Sequence, residues 1–585
     1  MGVSILYLSV QKRDGREYLS IQKGYWNRET KSRTSTTVKV LGFVDALQKE
    51  YDDPIAHFRQ VAKEMTAEEK AQRHISIDIN MGEELAENGQ GAYNFGYAVP
   101  MRVYHTLWLD DFFKRKMVGQ KFEFNTNSIM IMLVMSRILS PGSKKKAFEE
   151  KGKFFERFDF SLDDVYRALS HFAKVGTELQ QSMYERVRAK YGSDTSIIYY
   201  DVTNYYFHIS KPDEHRKYGR GKENRKKPII QMGLAMDADG VPIHYKLFPG
   251  NTLDKQTFRA VIGDVRLKYD TGRIVVVADM GIITGDNINY LTGGKKHKPL
   301  NGYVFSFSVR GGAAKFQEYV LDESGYVDTS GEPATADADF MVKSRLEARD
   351  ISVTMSNGKK KTKQVYEKQV VFWNRKYFNK ARAERVEVLA KAEALIKNPN
   401  KFTKATTYGA AAYVLNIDYD KSTGEVREKD GKALLLDESK IADEEKYDGY
   451  YAIVTSELHM TDSEIIDIYR GLWEIEETFR ITKSDLAARP VHLQEYDHID
   501  AHFLVCFISL VIIRLIQKET GKKYSAAAIM ETLNKIGCMH EFENIYLFGH
   551  RSELSAELGK AFGIDFSKKR LRLDEIKKVL GDVKR

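Results

Sequence analysis

Residues 196–207, SIIYYDVTNYYF, place aromatic and β-branched side chains at most positions and a single charged residue, Asp201, among them. Such a run favours a buried strand. A carboxylate in that setting costs several kcal/mol unless something pairs with it. The chain must therefore fold so that a partner meets Asp201 on this strand.

Composition sets the broad class of protein. A chain of 585 residues is too long for one ordinary core, and roughly three to five domains are expected. With 42% hydrophobic residues the chain can bury large cores, which excludes general disorder. The net charge of +9 is compatible with nucleic acid but does not require it. The chain has only two cysteines, Cys506 and Cys538, so neither a disulfide scaffold nor a cysteine zinc site is expected.

Two segments bear on membranes and export. The start of the chain, MGVSILYLSVQKRDGREYLSI, lacks the layout of a signal peptide and predicts a β-hairpin. The most apolar segment, residues 503–513, is too short to span a bilayer and is interpreted as a buried core helix. The expectation is a soluble, intracellular protein without a membrane partner.

The spacing of apolar residues changes along the chain and predicts six segments. They are a β-rich segment (1–70), a helical region (71–192), a strand–strand–strand–helix–strand segment (193–300), a mainly β segment (301–454), a segment that opens with a long helix (455–535) and a helical tail (536–585).

Local signals support several of these elements. Asp239-Gly240 between two apolar runs predicts a hairpin. RIVVVADMG, which ends in Asp279, is apolar throughout, as in a sheet covered by helices on both faces. Ser161 with Asp164 and Thr461 with Glu464 predict helix N-termini. Together they indicate an α/β protein.

Asp201 gains a chemical interpretation if other carboxylates join it around a hard cation. Mg²⁺ prefers oxygen ligands, and two such ions can clamp both oxygens of a phosphodiester displacement. Asp279 ends a buried strand, where side chains reach the carboxyl edge of an α/β sheet. Glu476, on the long helix, is the candidate third acid. Helical periodicity places it in one stripe of polar and aromatic residues: Tyr469, Trp473, Glu476, Arg480 and Lys483.

Each residue also has a simpler interpretation. Asp201 and Asp279 alone would be turn residues, and Glu476 alone a solvated helix residue. Trp473 suits a core as well as base stacking, and His502 suits a structural histidine better than a ligand. Basic runs at 142–148 and 357–363 fit solvated surfaces at least as well as DNA contacts. The basic loop after the Asp201 strand favours DNA contact, although solvation remains an alternative. Its candidate residues are Arg220, Lys222, Arg225, Lys226 and Lys227.

The motif YRGLWEIEETFRITKSDL resembles the signature of bacterial insertion-sequence DDE transposases of the YREK subgroup. Tyr469, Glu476 and Lys483 match it, whereas Leu472 stands where many members carry the arginine, so that Arg470 or Arg480 would supply that charge. The blocks YYDVTNYYF, VVVADMGI and YDGYYAIVTS resemble those around the family's aspartates and before its glutamate. Met280 replaces a basic residue that is common after the second aspartate.

The resemblance implies a ribonuclease-H-like mixed sheet flanked by helices, with residues 193–300 and 455–535 as the two parts of the core. Residues 301–454 would be a β insertion and residues 71–192 a helical DNA-binding region. Asp201, Asp279 and Glu476 would hold two Mg²⁺ ions, with Mn²⁺ as a substitute. Tyr469, Arg470, Trp473, Arg480 and Lys483 would contact DNA.

The activity implied is metal-dependent cleavage of double-stranded DNA at transposon ends, followed by strand transfer into target DNA. A homodimer in the DNA complex and a bacterial cytoplasmic location, associated with the nucleoid during action, are expected. Two alternatives stay open. One is a ribonuclease-H-like nuclease or resolvase that cuts without joining, and the other is a catalytically idle DNA-binding protein.

Overall fold

The structure is a computed structural model. It describes residues 5–27, 32–71, 91–209, 211–219, 227–293, 301–335, 337–404 and 406–585. The chain divides into two compact units, residues 1–89 and residues 90–585.

The first unit is a three-stranded antiparallel sheet with two helices. Its elements are β1 (Ile5–Arg13), β2 (Arg16–Asn27), β3 (Ser32–Phe43), α1 (Val44–Leu47) and α2 (Pro54–Ala71). Asp14 and Gly15, both with positive φ, form the turn between β1 and β2, which confirms the predicted hairpin. Ala62 of α2 packs against Leu6 and Ile21 of the sheet.

The second unit begins with a short strand and five helices. They are β4 (Tyr93–Asn94), α3 (Ala98–Thr106), α4 (Leu109–Met117), α5 (Thr126–Leu139), α6 (Lys144–Glu149) and α7 (Leu162–Tyr191). The predicted cap of α7 is confirmed, since the Ser161 and Asp164 side chains each accept a hydrogen bond from the other's backbone N–H.

A mixed sheet follows the helices. Its first elements are β5 (Ile197–Tyr206), β6 (Ile229–Met236), β7 (Pro242–Pro249), α8 (Asp254–Lys268), β8 (Val275–Ala278), α9 (Gly285–Thr292) and β9 (Gly302–Phe307). Strands β5, β6 and β7 are antiparallel neighbours, whereas β8 runs parallel to β5 and β9 parallel to β8. The predicted hairpin is confirmed between β6 and β7, where Gly240 has a φ of 79°.

Residues 301–454 extend this same sheet. The elements after β9 are α10 (Ala314–Leu321), β10 (Phe340–Thr354), β11 (Lys360–Asn374), α11 (Arg375–Lys397), β12 (Val414–Leu415), β13 (Ile417–Tyr419), β14 (Val426–Glu428), β15 (Leu435–Leu436), α12 (Glu438–Glu445) and β16 (Tyr450–Thr455). The full strand order is β10-β11-β16-β9-β8-β5-β6-β7. Strands β12 with β15 and β13 with β14 form two small ribbons.

The rest of the chain is mostly helical. Its elements are α13 (Asp462–Arg470), α14 (Trp473–Arg480), a π-helical turn (Ile481–Asp485), α15 (Tyr496–Glu519), α16 (Ala526–Lys535), β17 (Gly537–Phe542), β18 (Ile545–Phe548), α17 (Glu553–Phe562), β19 (Arg570–Arg572) and α18 (Leu573–Asp582). The tail expected to be helical thus contains three strands, which form a sheet with β4 in the order β19-β18-β17-β4. β17 pairs with β4, more than 400 residues earlier, as well as with its neighbour β18, and β18 pairs with β19.

The two faces of the central sheet pack into different cores. Tyr199 of β5 and Val277 of β8 belong to the core that includes α15, whereas Tyr200 and Val276 face the core beneath α8. Within the described residues, one helix, α15, is long and apolar enough to cross a membrane. Of its most apolar window, 94% is buried inside the protein, in agreement with the core helix predicted at 503–513.

Candidate active site

Two of the predicted acids lie on neighbouring parallel segments of the sheet, Asp201 in the middle of β5 and Asp279 directly after the end of β8. Tyr199 of β5 pairs with Val277 of β8, and the same register places Asp201 opposite Asp279, directly after β8. Neighbouring strands are about 4.8 Å apart. Because side chains alternate between faces, both aspartates share the face of Tyr199 and Val277.

Hydrogen bonds orient both carboxylates. Asp279 Oδ1 accepts from Ser306 Oγ at 2.6 Å and from the backbone N–H of Met280 at 2.7 Å. Ser306 lies on β9 and is only 2% exposed. Asp201 Oδ1 accepts from the N–H of Val202 at 2.7 Å. β5 and the residue after β8 therefore present two oriented carboxylates, of which Asp279 is exposed and Asp201 half-buried.

The segment that carries Glu476 consists of two helices. The capping box of Thr461 and Glu464 is confirmed at the start of α13, but the single long helix predicted from it is wrong. A turn of two residues with right-handed backbone angles, Gly471 and Leu472, separates α13 from α14 where Gly471 lies against Tyr199 of β5. A Cβ at Gly471 would lie 2.0 Å from the Tyr199 hydroxyl, which donates to the carbonyl of Ile468 at 3.1 Å.

Helix α14 runs along the face of β5 that carries Asp201. Its start touches Tyr199 through Gly471. Beyond its end, Lys483 Nζ lies 5.9 Å from the ring centroid of Tyr205, on the same face of the strand. Ile475 and Phe479 are buried in the core under this face, and Glu476 itself is exposed. The structure thus brings the helix of the third acid to the same side of the sheet as the two aspartates.

The three predicted acids do not form a closed metal cluster. In the part of the chain that the structure describes, no group of three or more His, Cys, Asp or Glu side chains is close enough to hold a metal ion. Mg²⁺ usually takes one or two carboxylates and completes its shell with water and phosphate oxygens. The adjacent Asp201 and Asp279 fit that requirement by ligand type and placement.

The predicted DNA-contact stripe has both exposed and half-buried members. Trp473 is 58% exposed, so the core interpretation is wrong for this residue. Arg470 and Arg480 are exposed and pair with Asp467 and Asp485. Tyr469 is half-buried, its hydroxyl lies 3.1 Å from that of Tyr451, and burial raises its pKa.

Most of the basic loop cannot be placed. Arg220, Lys222, Arg225 and Lys226 lie outside the described residues. The fifth candidate, Lys227, is described, and its Nζ lies 2.8 Å from His208 Nδ1.

His502 is a structural histidine, as the simpler interpretation held. It is buried, with Nε2 at 3.0 Å from the carbonyl of Ala488 and Nδ1 at 2.6 Å from Lys144 Nζ. Lys144 belongs to the basic run at 142–148, where a solvated face was favoured, and that interpretation is wrong for it because Lys144 is 5% exposed. Arg137 completes this cluster by donating to the carbonyls of Leu486 and Gly142.

The sequence interpretation missed Arg514, which donates to several groups of α14 from helix α15. The one available signal was a charged residue at the end of an otherwise apolar run, FLVCFISLVIIR. A charge at such a place is rarely buried without partners.

A family model described as the transposase DDE domain matches residues 192–512. The match covers more than half of the chain, and the protein therefore belongs to this family of transposases. Among solved structures, the chain is similar to the Mos1 transposase paired-end complex with left transposon end, with 12% identity and a TM-score of 0.11. The match covers 40% of this chain and 64% of that chain, less than two thirds of its length. No curated protein matches the chain.

Proposed function

We propose that the protein cleaves DNA at transposon ends and joins the freed ends to target DNA. One observation carries the proposal. Asp201 and Asp279 each lie two residues after the last paired residues of the parallel strands, Tyr199 and Val277. The helix of Glu476 packs on the same face of β5, and all three acids lie within the region that matches the transposase family.

The central sheet supports a ribonuclease-H-like core. Strands β7, β6 and β5 are antiparallel neighbours. Strand β8 lies next to β5 and runs parallel to it, and β9 lies next to β8 and runs parallel to that strand. Strands β16, β11 and β10 extend the far edge. This is a mixed sheet flanked by helices, as the resemblance to insertion-sequence transposases implies.

Asp201 and Asp279 would hold divalent metal, with Glu476 as the third ligand. Bound Mg²⁺ supplies Lewis-acid activation of the attacking oxygen and stabilisation of the leaving oxygen. Ser306 holds the Asp279 carboxylate through its 2.6 Å hydrogen bond. Ser306 thus orients a carboxylate that would hold metal, and the scheme requires no covalent intermediate on the protein.

The exposed residues of the stripe would contact the DNA. Arg480 lies one helical turn after Glu476 and Trp473 lies nearly one turn before it, both exposed. Arginine positions phosphates, and an exposed indole can stack on a base. Leu472 is 8% exposed and belongs to the core, so Arg480 is the residue of α14 itself that would supply the charge of the YREK signature.

Other parts of the chain complete the proposal. The helical region α3–α7 and the basic loop that contains Lys227 would add DNA contacts. Two copies would bind the two transposon ends as a dimer. The protein would act in the bacterial cytoplasm.

The test is the variant Asp201→Asn. Loss of a ligand charge should lower the rate of DNA cleavage by about 10³-fold, equivalent to about 4 kcal/mol of transition-state stabilisation. The matched control is Asp270→Asn, since the Asp270 side chain is 95% exposed. The assay uses Mg²⁺, labelled duplex ends of the element and a target plasmid.

The products separate three outcomes. Joined products from the unmodified protein support transposition, whereas cleavage alone indicates a nuclease and binding alone an inactive DNA-binding protein. Full cleavage by Asp201→Asn would reject the assignment of this carboxylate. Binding of end DNA by Asp201→Asn should match that of the control.

A further inference from the structure

Helix α14, which carries Glu476, is a short element that only Gly471 and Leu472 separate from α13. It has eight residues, follows a break at Gly471 and Leu472, and leads into a π-helical turn. Isolated helices shorter than about 12–15 residues are marginal in water. Contacts with the rest of the fold must therefore determine where the Glu476 carboxylate stands.

One side chain of the core helix α15 makes most of the polar contacts behind α14. Arg514 donates from Nη2 to the carbonyl of Glu474 at 2.9 Å and to Thr478 Oγ1 at 2.6 Å. Its Nε donates to the same Thr478 oxygen at 3.1 Å, and Nη1 donates to Glu477 Oε2 at 3.3 Å. A single guanidinium thus bonds the residues two before, one after and two after Glu476.

These contacts are buried and charged. The Arg514 side chain is 6% exposed, that of Glu477 is 20% exposed, and Thr478 is fully buried. Hydrogen bonds to charged groups in such a setting are stronger than those at a surface. Gln517, on the same helix as Arg514, accepts from Nη1 at 3.0 Å and fixes the orientation of the guanidinium plane.

The geometry points to Arg514 as the positioning residue of the third acid. It holds α14 against the face of β5 that carries Asp201, where the Glu476 carboxylate would contribute to metal binding, and it would touch neither substrate nor metal itself. This inference rests on the proposed DNA cleavage. Its physical basis is the planar fork of arginine, which lysine cannot reproduce with one flexible ammonium group.

The test compares Arg514→Lys with the unmodified protein in two measurements on the full chain. The first is the Mg²⁺ concentration that gives half-maximal cleavage of end DNA. We expect it to rise about tenfold, as for other groups that orient metal ligands. The second is hydrogen exchange of the backbone N–H groups of residues 474–478 without metal, which should become about tenfold faster.

Arg385→Lys is the matched control. The Arg385 side chain is also 6% exposed and pairs with a buried carboxylate, Asp448, but its ionic partners, Asp448 and Glu445, lie outside α14. Both measurements should stay unchanged in this variant. An equal change in both variants would indicate general loosening and would overturn the inference. So would an unchanged Mg²⁺ requirement in a folded Arg514→Lys protein.

A second variant covers the case in which Arg514→Lys fails to fold. Thr478→Val removes the oxygen that accepts two of the four hydrogen bonds to α14 and leaves Arg514 in place. Thr478→Val should also raise the Mg²⁺ concentration needed for half-maximal cleavage and speed hydrogen exchange of residues 474–478. If the unmodified protein does not cleave DNA at all, the proposed function fails. Hydrogen exchange of α14 then still decides whether Arg514 holds the helix.

Discussion

At the scale of single residues, Lys144 shows how burial changes the pKa of a lysine side chain. Its ammonium group lies 2.6 Å from His502 Nδ1, and the residue is 5% exposed. Loss of solvation, with repulsion from Arg137, lowers the pKa of Lys144 to about 7. Burial also lowers the pKa of His502 well below its usual value, with the charge of Lys144 adding to the effect. The histidine is therefore neutral at pH 7 and accepts from Lys144.

This shift predicts a pH dependence of stability. Between about pH 7 and 10.5 the unfolded chain holds a proton on Lys144 that the folded chain lacks. The free energy of unfolding therefore rises with pH in this window, by up to about 1.4 kcal/mol per pH unit. Lys144→Met should remove this rise. Urea unfolding of both proteins at pH 7, 8 and 9 measures it.

The control is Lys145→Met, because Lys145 is exposed and pairs only loosely with Glu149, at 3.8 Å. This variant should keep the slope of the unmodified protein. Equal slopes in the Lys144→Met and unmodified proteins would show that Lys144 keeps its proton in the folded state.

At the scale of elements, the joint between α13 and α14 determines where Glu476 lies over the sheet. Gly471 allows the joint to approach Tyr199, since an added Cβ would lie 2.0 Å from the hydroxyl and 2.5 Å from the ring carbon that bears it. The Tyr199 hydroxyl also donates to the carbonyl of Ile468 in the last turn of α13. The contact between Tyr199 and Gly471 thus joins the strand to the helices. Tyr199 lies two residues before Asp201, and Gly471 lies five residues before Glu476.

Gly471→Ala should push this joint away from β5. Overpacking at a buried contact typically costs about 1–3 kcal/mol of unfolding free energy. The cleavage rate should fall by more than the loss of folded protein explains, because the displaced segment leads directly to Glu476. Thermal unfolding and the cleavage rate of the same preparation measure the two effects.

Gly549→Ala is the control, since a Cβ at Gly549 meets nothing within 4 Å. Replacing Tyr199 by Leu in the Gly471→Ala protein should restore part of both losses, because it removes the atoms that clash. Additive losses in the double variant would locate the strain elsewhere.

The elements also show what the sequence could reveal. The Asp239-Gly240 hairpin and the caps at Ser161 and Thr461 were predictable because each depends on residues within a few positions. The turn at Gly471 lies against Tyr199, and β17 of the tail pairs with β4. Such contacts join distant parts of the chain, and no local pattern encodes them.

At the candidate site, too, local patterns could be predicted from the sequence and contacts between distant residues could not. Strand pattern and helical spacing predicted Asp201, Asp279 and Glu476, and the two aspartates each lie two residues after the paired Tyr199 of β5 and Val277 of β8. The supporting residues Ser306 and Arg514 were not predictable. Serine on a strand and arginine after an apolar run acquire these roles only through the packing of β9 and α15.

At the scale of the whole molecule, helix α15 joins the helical region to the sheet. It packs against α3, α5 and α7 on one side and against β7 on the other. Leu504 of α15 meets the surface of α7 at Gly176, and His502 meets Lys144 of α6. Residues of all these elements belong to one hydrophobic core. The helical region and the sheet should therefore fold as one cooperative unit.

This arrangement predicts how truncated chains behave. A chain of residues 192–512, the part that matches the family, keeps the sheet but loses α3–α7 and the last turns of α15, and so exposes the rest of α15. Exposing one buried leucine costs about 1.5–3 kcal/mol, and a domain is stable by only about 5–15 kcal/mol. Because 13 of the 18 buried residues of α15 remain in this chain, it should show no cooperative thermal transition by circular dichroism. A chain of residues 90–585 should melt in one transition. A sharp transition in the shorter chain would instead show that the sheet needs no support from the helices before it.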